Sequence, residues 1–148
     1  MQFSLHHLLF AALACSTTLA APTPSGPAKS MMVENTQWTI EDMKRVCDDA
    51  DTECTWTFGI DTPSGSTDCT YVVTGSPASQ ANGGPEHCGD YTITSGWSGQ
   101  FGPEDGFTTL SVVHEESRQI IWPAYRDDQL EGGEVVKPDQ SYTPSVLP

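Results

Sequence analysis

Five cysteines, at positions 15, 47, 54, 69 and 88, set the main constraint on what this chain can fold into. Cys15 follows a short apolar run, Leu8 to Ala14, and precedes the small residues Ser16-Thr17-Thr18-Leu19-Ala20, which together read as a secretory leader cleaved after Ala20. The run is shorter than the roughly 20 apolar residues a membrane helix needs, and the sequence offers no second one. Removal of residues 1–20 leaves four cysteines. An even number in a secreted, extracellular chain predicts two disulfides. Each is worth about 2–4 kcal/mol, a large share of the net stability of a small domain.

Most of the sequence after position 36 alternates as strands do. Residues 54–61 (CTWTFGID) put Cys54, Trp56, Phe58 and Ile60 on one face, with Thr55, Thr57 and Gly59 on the other. Residues 69–75 repeat this with Cys69, Tyr71 and Val73, and Thr62 to Asp68 between them is turn chemistry, so a hairpin is expected. Tyr91 to Trp97, Phe107 to His114 and Gln119 to Trp122 read as further strands, the last two joined by Glu115-Glu116-Ser117-Arg118. Gln37 to Cys47 carries two periods: Trp38, Ile40 and Val46 share a face as a strand, whereas Ile40, Met43 and Cys47 share one as a helix. Its neighbours favour strand.

Ser76 to His87 reads as a Gly/Pro-rich loop, Asp127 to Glu131 as one helical turn with an Asp cap and Gly132-Gly133 after it, and Glu134 to Lys137 as a last short strand. Six or seven short strands without a long helical pattern predict an all-β domain, a small disulfide-stapled antiparallel β-barrel or β-sandwich. The expected organisation is leader 1–20, a Pro/Ser-rich arm 21–36 and a single β-domain 37–148.

Four cysteines allow three pairings. In a meander, Cys47 ends one strand and Cys54 opens the next, so both lie at the same edge. Cys69 opens the third strand at the opposite edge, about 20 Å from Cys54 along a strand, while the loop before Cys88 can return toward it. The strand reading therefore prefers Cys47–Cys54 with Cys69–Cys88.

Twenty Asp and Glu against six Lys and Arg give a net charge of −14. That balance excludes a phosphate-binding footprint, so neither nucleic acid nor an anionic membrane surface is an expected partner. Asp49, Asp51 and Glu53 alternate as in the first half of a calcium loop, but Cys54 and Ile60 stand where glycine and the bidentate glutamate belong. The mature chain has two histidines, His87 and His114, and no free thiol once both bridges form, a poor basis for zinc. His114-Glu115-Glu116 lacks the second histidine of a metalloprotease helix, and Ser95-Gly96-Trp97-Ser98-Gly99 lacks the first glycine of a nucleophile elbow. No catalytic residues, metal or cofactor are expected. Trp38 and Trp56 lie on apolar strand faces; Trp97, in a Gly-rich stretch, and Trp122, before Pro123, are the candidate binding residues.

The run Ser95-Gly96-Trp97-Ser98-Gly99-Gln100-Phe101-Gly102-Pro103, then Gly106-Phe107-Thr108-Thr109-Leu110 and Pro123-Ala124-Tyr125, together with the cysteine spacing and Trp56-Thr57-Phe58-Gly59-Ile60-Asp61, resembles the small secreted cysteine-containing proteins of filamentous ascomycetes of the Trichoderma type. The likeness spans Trp38 to Pro144. It implies a β-barrel-like fold with two disulfides, a homodimer, and a role as a secreted fungal effector or elicitor met by a plant host, with no catalytic residues to carry over. The expected function is surface recognition of a host protein or a cell-wall glycan. A cell-wall carbohydrate-binding module and a small secreted hydrolase are the alternatives.

Overall fold

Alternation along the strands generates two antiparallel sheets whose inward faces meet. The computed structural model describes residues 36–148; the leader and all of the arm before Thr36 lie outside the described residues. β1 (Trp38–Cys47), β2 (Glu53–Thr62) and β3 (Gly65–Thr74) form a meander, and a 3-10 turn at Ala78–Gln80 leads to β4 (Gly83–Cys88). β5 (Tyr91–Ser98), β6 (Phe107–His114), β7 (Gln119–Ile121) and β8 (Ala124–Arg126) follow, then one helical turn, α1 (Asp127–Leu130). β9 (Gln140–Tyr142) and β10 (Ser145–Val146) close the chain. One sheet has the order β3-β2-β1-β9; the other runs β10-β7-β6-β5-β4, with β8 also pairing to β6.

Both sheets keep open edges, so the fold is a β-sandwich. The barrel-like closure implied by the resemblance is not formed. Ile40, Trp56, Ile60 and Tyr71 from one sheet pack against Ile93, Leu110, Val112 and Tyr125 from the other, all nearly or wholly buried. Each such side chain contributes about 1.5–3 kcal/mol, so this layer supplies most of the favourable energy. Among the described residues, no helix is long and apolar enough to cross a membrane.

Cys47 and Cys54 are direct register partners across the first hairpin and are bonded, with Cα atoms 3.9 Å apart. Cys69 on β3 bonds Cys88 on β4, Cα to Cα 5.6 Å, which ties one sheet to the other. Across the core, the Tyr71 and Ser95 hydroxyls share a buried hydrogen bond of 2.9 Å.

Four local expectations change. Val46 does not share the inward face of Trp38 and Ile40: it is 48% exposed, because a bulge between Glu41 and Lys44 shifts the parity of β1. Residues 83–87 of the Ser76–His87 loop belong to the edge strand β4, which accommodates Pro85 because an edge strand need not donate from every residue. Glu134 to Lys137 is not a strand; the tail pairs further on, as β9 and β10. The helical turn is capped at Arg126, not by an Asp, and the Gln129 side chain accepts the Arg126 N–H at 2.9 Å.

β4 lies close over the core because Gly83 has no side chain: a Cβ there would run into the Tyr71 hydroxyl and come within 2.7 Å of Val73. At Gly96, by contrast, the nearest atom to a Cβ is 3.8 Å away. Gly83→Ala is expected to destabilise the fold by about 1–3 kcal/mol and Gly96→Ala by less than about 1 kcal/mol, measured by urea unfolding.

Candidate functional site

The bulge in β1 starts a chain of contacts that ends at one of the candidate tryptophans. Asp42 takes a positive φ of 49°, and its N–H donates to Asp139 Oδ1 at 3.0 Å. The extra residue turns Met43 and Arg45 inward, and both are buried. Arg45 lies over the ring of Trp56, its register partner on β2, 5.4 Å from the centroid. Its Nη1 donates to the Ser79 carbonyl and to Asp127 Oδ1, each at 3.2 Å. The other oxygen of Asp127 accepts the Trp97 Nε1–H at 2.8 Å. One carboxylate at the start of α1 thus joins β1 to the end of β5.

Trp97 is consequently held in place. Its backbone N–H donates to Asn82 Oδ1 at 2.9 Å, and a Cβ on Gly106 would stand 3.0 Å from its indole. The ring is half-buried, and its one hydrogen-bond donor is spent inside the protein. Trp122 has the opposite environment and is 50% exposed. Burial alternates from Ile121 through Trp122, Pro123, Ala124 and Tyr125 to Arg126, so Trp122, Ala124 and Arg126 face away from the core. Ala124 lies opposite Thr109 and Arg126 opposite Phe107 on β6. Phe101, 69% exposed, stacks on Phe107 with ring centroids 5.9 Å apart. Phe101 and Phe107, with Asp105 and Arg126, line an open apolar pocket. These two phenylalanines were not singled out by sequence reasoning; the exposed Phe in Gln100-Phe101-Gly102-Pro103 was the available signal, since large apolar residues in a Gly/Pro loop have little core to enter.

The histidines and the acidic turn are engaged structurally. His114 packs edge-on to Tyr91 and Trp38, with centroids 5.1 and 6.4 Å away, beside a hollow of about 230 Å³ lined by Thr62, Ser64, Ser117 and Gln119. Its Nδ1 accepts the Ser117 N–H at 3.1 Å, which places the proton of the neutral ring on Nε2. His87 Nδ1 lies 3.2 Å from the Thr92 hydroxyl. Asp51, of the acidic turn, accepts both the N–H and the hydroxyl of Ser79, at 2.8 and 2.5 Å. Cys47, Asp51 and Cys54 cluster within 4.8 Å, but the two sulfurs are bonded to each other and present no thiolate.

Asp48 accepts from the Thr52 hydroxyl and from the N–H groups of Thr52 and Glu53, at 2.5, 2.5 and 3.0 Å. Those bonds, the Thr52 hydroxyl foremost, hold its carboxyl below the usual carboxylate range. The acidic turn is thereby explained as hairpin chemistry.

Comparison with known proteins gives a consistent result. The family model described as Effector TSP1 matches residues 39–147. A protein of Hypocrea virens named Effector TSP1 is 56% identical over 137 residues, covering 91% of this chain and 92% of the relative.

Removal of Asp127 leaves the buried Arg45 guanidinium without its partner charge. Asp127→Ala is expected to cost about 3–5 kcal/mol in urea unfolding, whereas Asp128→Ala, which breaks only the exposed pair with Arg126, costs less than about 1 kcal/mol. Because the Asp48 carboxyl is lowered in the folded state, its contribution is full above the unfolded value near pH 4 and fades as pH falls through the folded one. The stability difference between the wild type and Asp48→Ala should therefore shrink as urea titrations move from about pH 6 to below about pH 3.

Proposed function

The chain belongs to the Effector TSP1 family, and from that premise we propose that it is secreted and works outside the cell as a non-enzymatic effector, by recognition through its surface. The observation that carries this reading is the contrast between the two kinds of side chain. Three groups suited to acid–base work are tied to structural partners, Asp127 to Arg45 and Trp97, Asp51 to Ser79, and His114 to Ser117. Large apolar side chains suited to contact, Phe101 and Trp122, stand in solvent. The disulfides suit an oxidising, extracellular setting.

On this reading the residues before Ala21 are a leader, and the recognised partner is a host protein or a cell-wall glycan. Self-association to a homodimer accompanies it; sedimentation at high concentration should then give twice the mass of the mature chain. N-terminal sequencing of protein recovered from the medium is expected to begin at Ala21. Infiltrated into leaves, the oxidised protein is expected to produce a dose-dependent oxidative burst, and a leaf that stays silent at every dose overturns the elicitor role. Hydrolase screens with and without added divalent metal are expected to show no turnover.

A further inference from the structure

We propose that the outward face of the sheet containing β5 and β6 is a binding surface for a neutral, hydroxyl-rich polysaccharide, with Trp122 as its stacking residue. The inference rests on the reading that the chain acts by surface recognition, and it names the class of molecule recognised. Its basis is where charge is missing. The outward positions of β5 are Thr92, Thr94, Gly96 and Ser98, and those of β6 are Phe107, Thr109, Ser111 and Val113. None of them ionises, in a chain with 20 acidic and 6 basic residues, and His87 on the neighbouring β4 is engaged with the Thr92 hydroxyl at 3.2 Å. Arg126, at the corner opposite Phe107, is paired with Asp128.

A face of this kind suits a neutral partner. Carboxylates resist losing their water, so an acidic surface covers poorly, while a band of hydroxyls and apolar rings dehydrates at low cost. Threonine and serine both donate and accept, matching the hydroxyls of a sugar chain without fixed polarity. A half-exposed indole offers a flat apolar plate to the C–H face of a pyranose ring, and Phe101 stacked on Phe107 offers a second at the other end of the strands. A cationic polypeptide would be drawn to the carboxylates elsewhere on the protein, which the outward positions of β5 and β6 do not supply. Trp97 is not part of this face, because along β5 it shares the inward parity of Tyr91, Ile93 and Ser95.

The test uses the oxidised protein and three insoluble probes, chitin, β-1,3-glucan and cellulose, in low salt and at about 0.5 M salt. The expected result is retention on at least one probe that salt does not weaken. Trp122→Ala, or a carboxylate placed on the face by Thr109→Glu, should reduce it about tenfold or more, and Val46→Ser on the other sheet should leave it unchanged. Circular dichroism of each variant must match the parent, and Trp122→Phe should recover part of the binding lost in Trp122→Ala. No retention on any probe, retention lost in high salt, or retention indifferent to Trp122→Ala and Thr109→Glu overturns the proposal. If Trp122→Ala instead halves the mass in sedimentation and no probe retains the protein, the face is a copy-to-copy interface and the proposal falls. Failure here with an intact leaf response removes the glycan and leaves the effector reading; retention with a silent leaf does the reverse.

Discussion

One extra residue in β1 determines where the most consequential charge in the protein sits. Without the bulge at Asp42, the two-residue period would point Val46 into the core and Arg45 into water. With it, a guanidinium enters a sandwich interior and must find partners there, which it does in the Trp56 ring, the Ser79 carbonyl and Asp127. The tail holds the bulge in turn: Val136 N–H donates to the Met43 carbonyl at 2.8 Å, and Lys137 bridges Asp42 and Asp139 at 2.6 and 3.0 Å. Those last two pairs are exposed and individually weak, so they act by setting register more than by adding stability.

Three of the links between the sheets differ in character. The Cys69–Cys88 bond acts mainly by restricting the unfolded chain, the Tyr71–Ser95 hydrogen bond satisfies two polar atoms that burial would otherwise penalise, and the Arg45–Asp127 pair fixes the position of a segment. The third offers little net energy over a well-packed apolar pair, but a sandwich that loses one member is left with a buried charge. Its structural benefit is visible at Trp97, which is anchored from the same carboxylate and carries the turn bearing Phe101.

Legibility in the sequence followed the strength of the local pattern. β2, β3, β5 and β6 each alternate over seven or more residues, and hairpin logic placed the cysteines because Cys47 and Cys54 flank a short turn. β4 was hidden by Gly83-Gly84-Pro85, which advertises a loop and is required here by contact with Tyr71 and by a positive φ at Gly84. β9 and β10 are three and two residues long, below the length at which any period shows. Parity inside β1 was illegible for a different reason: the helical spacing of Ile40 and Met43 was a trace of the bulge, and nothing in Glu41-Asp42-Met43 announces which of two periods wins. Trp122 was readable as a surface candidate from the proline after it, whereas the fate of Trp97 depended on Asp127, thirty positions away.

The tail gives one strand to each sheet, β9 beside β1 and β10 beside β7, while both disulfides lie between positions 47 and 88. Covalent closure and final strand pairing are therefore separated in time as the chain is made. Oxidation can lock the meander and the β3–β4 crossing before residues 140–146 have emerged, but neither sheet has its full set of strands until they do. The β9–β1 pairing spans about a hundred positions of sequence, the kind of contact that slows folding. During that interval β1 and β7 present unpaired edges, which docking of the tail covers with β9 and β10.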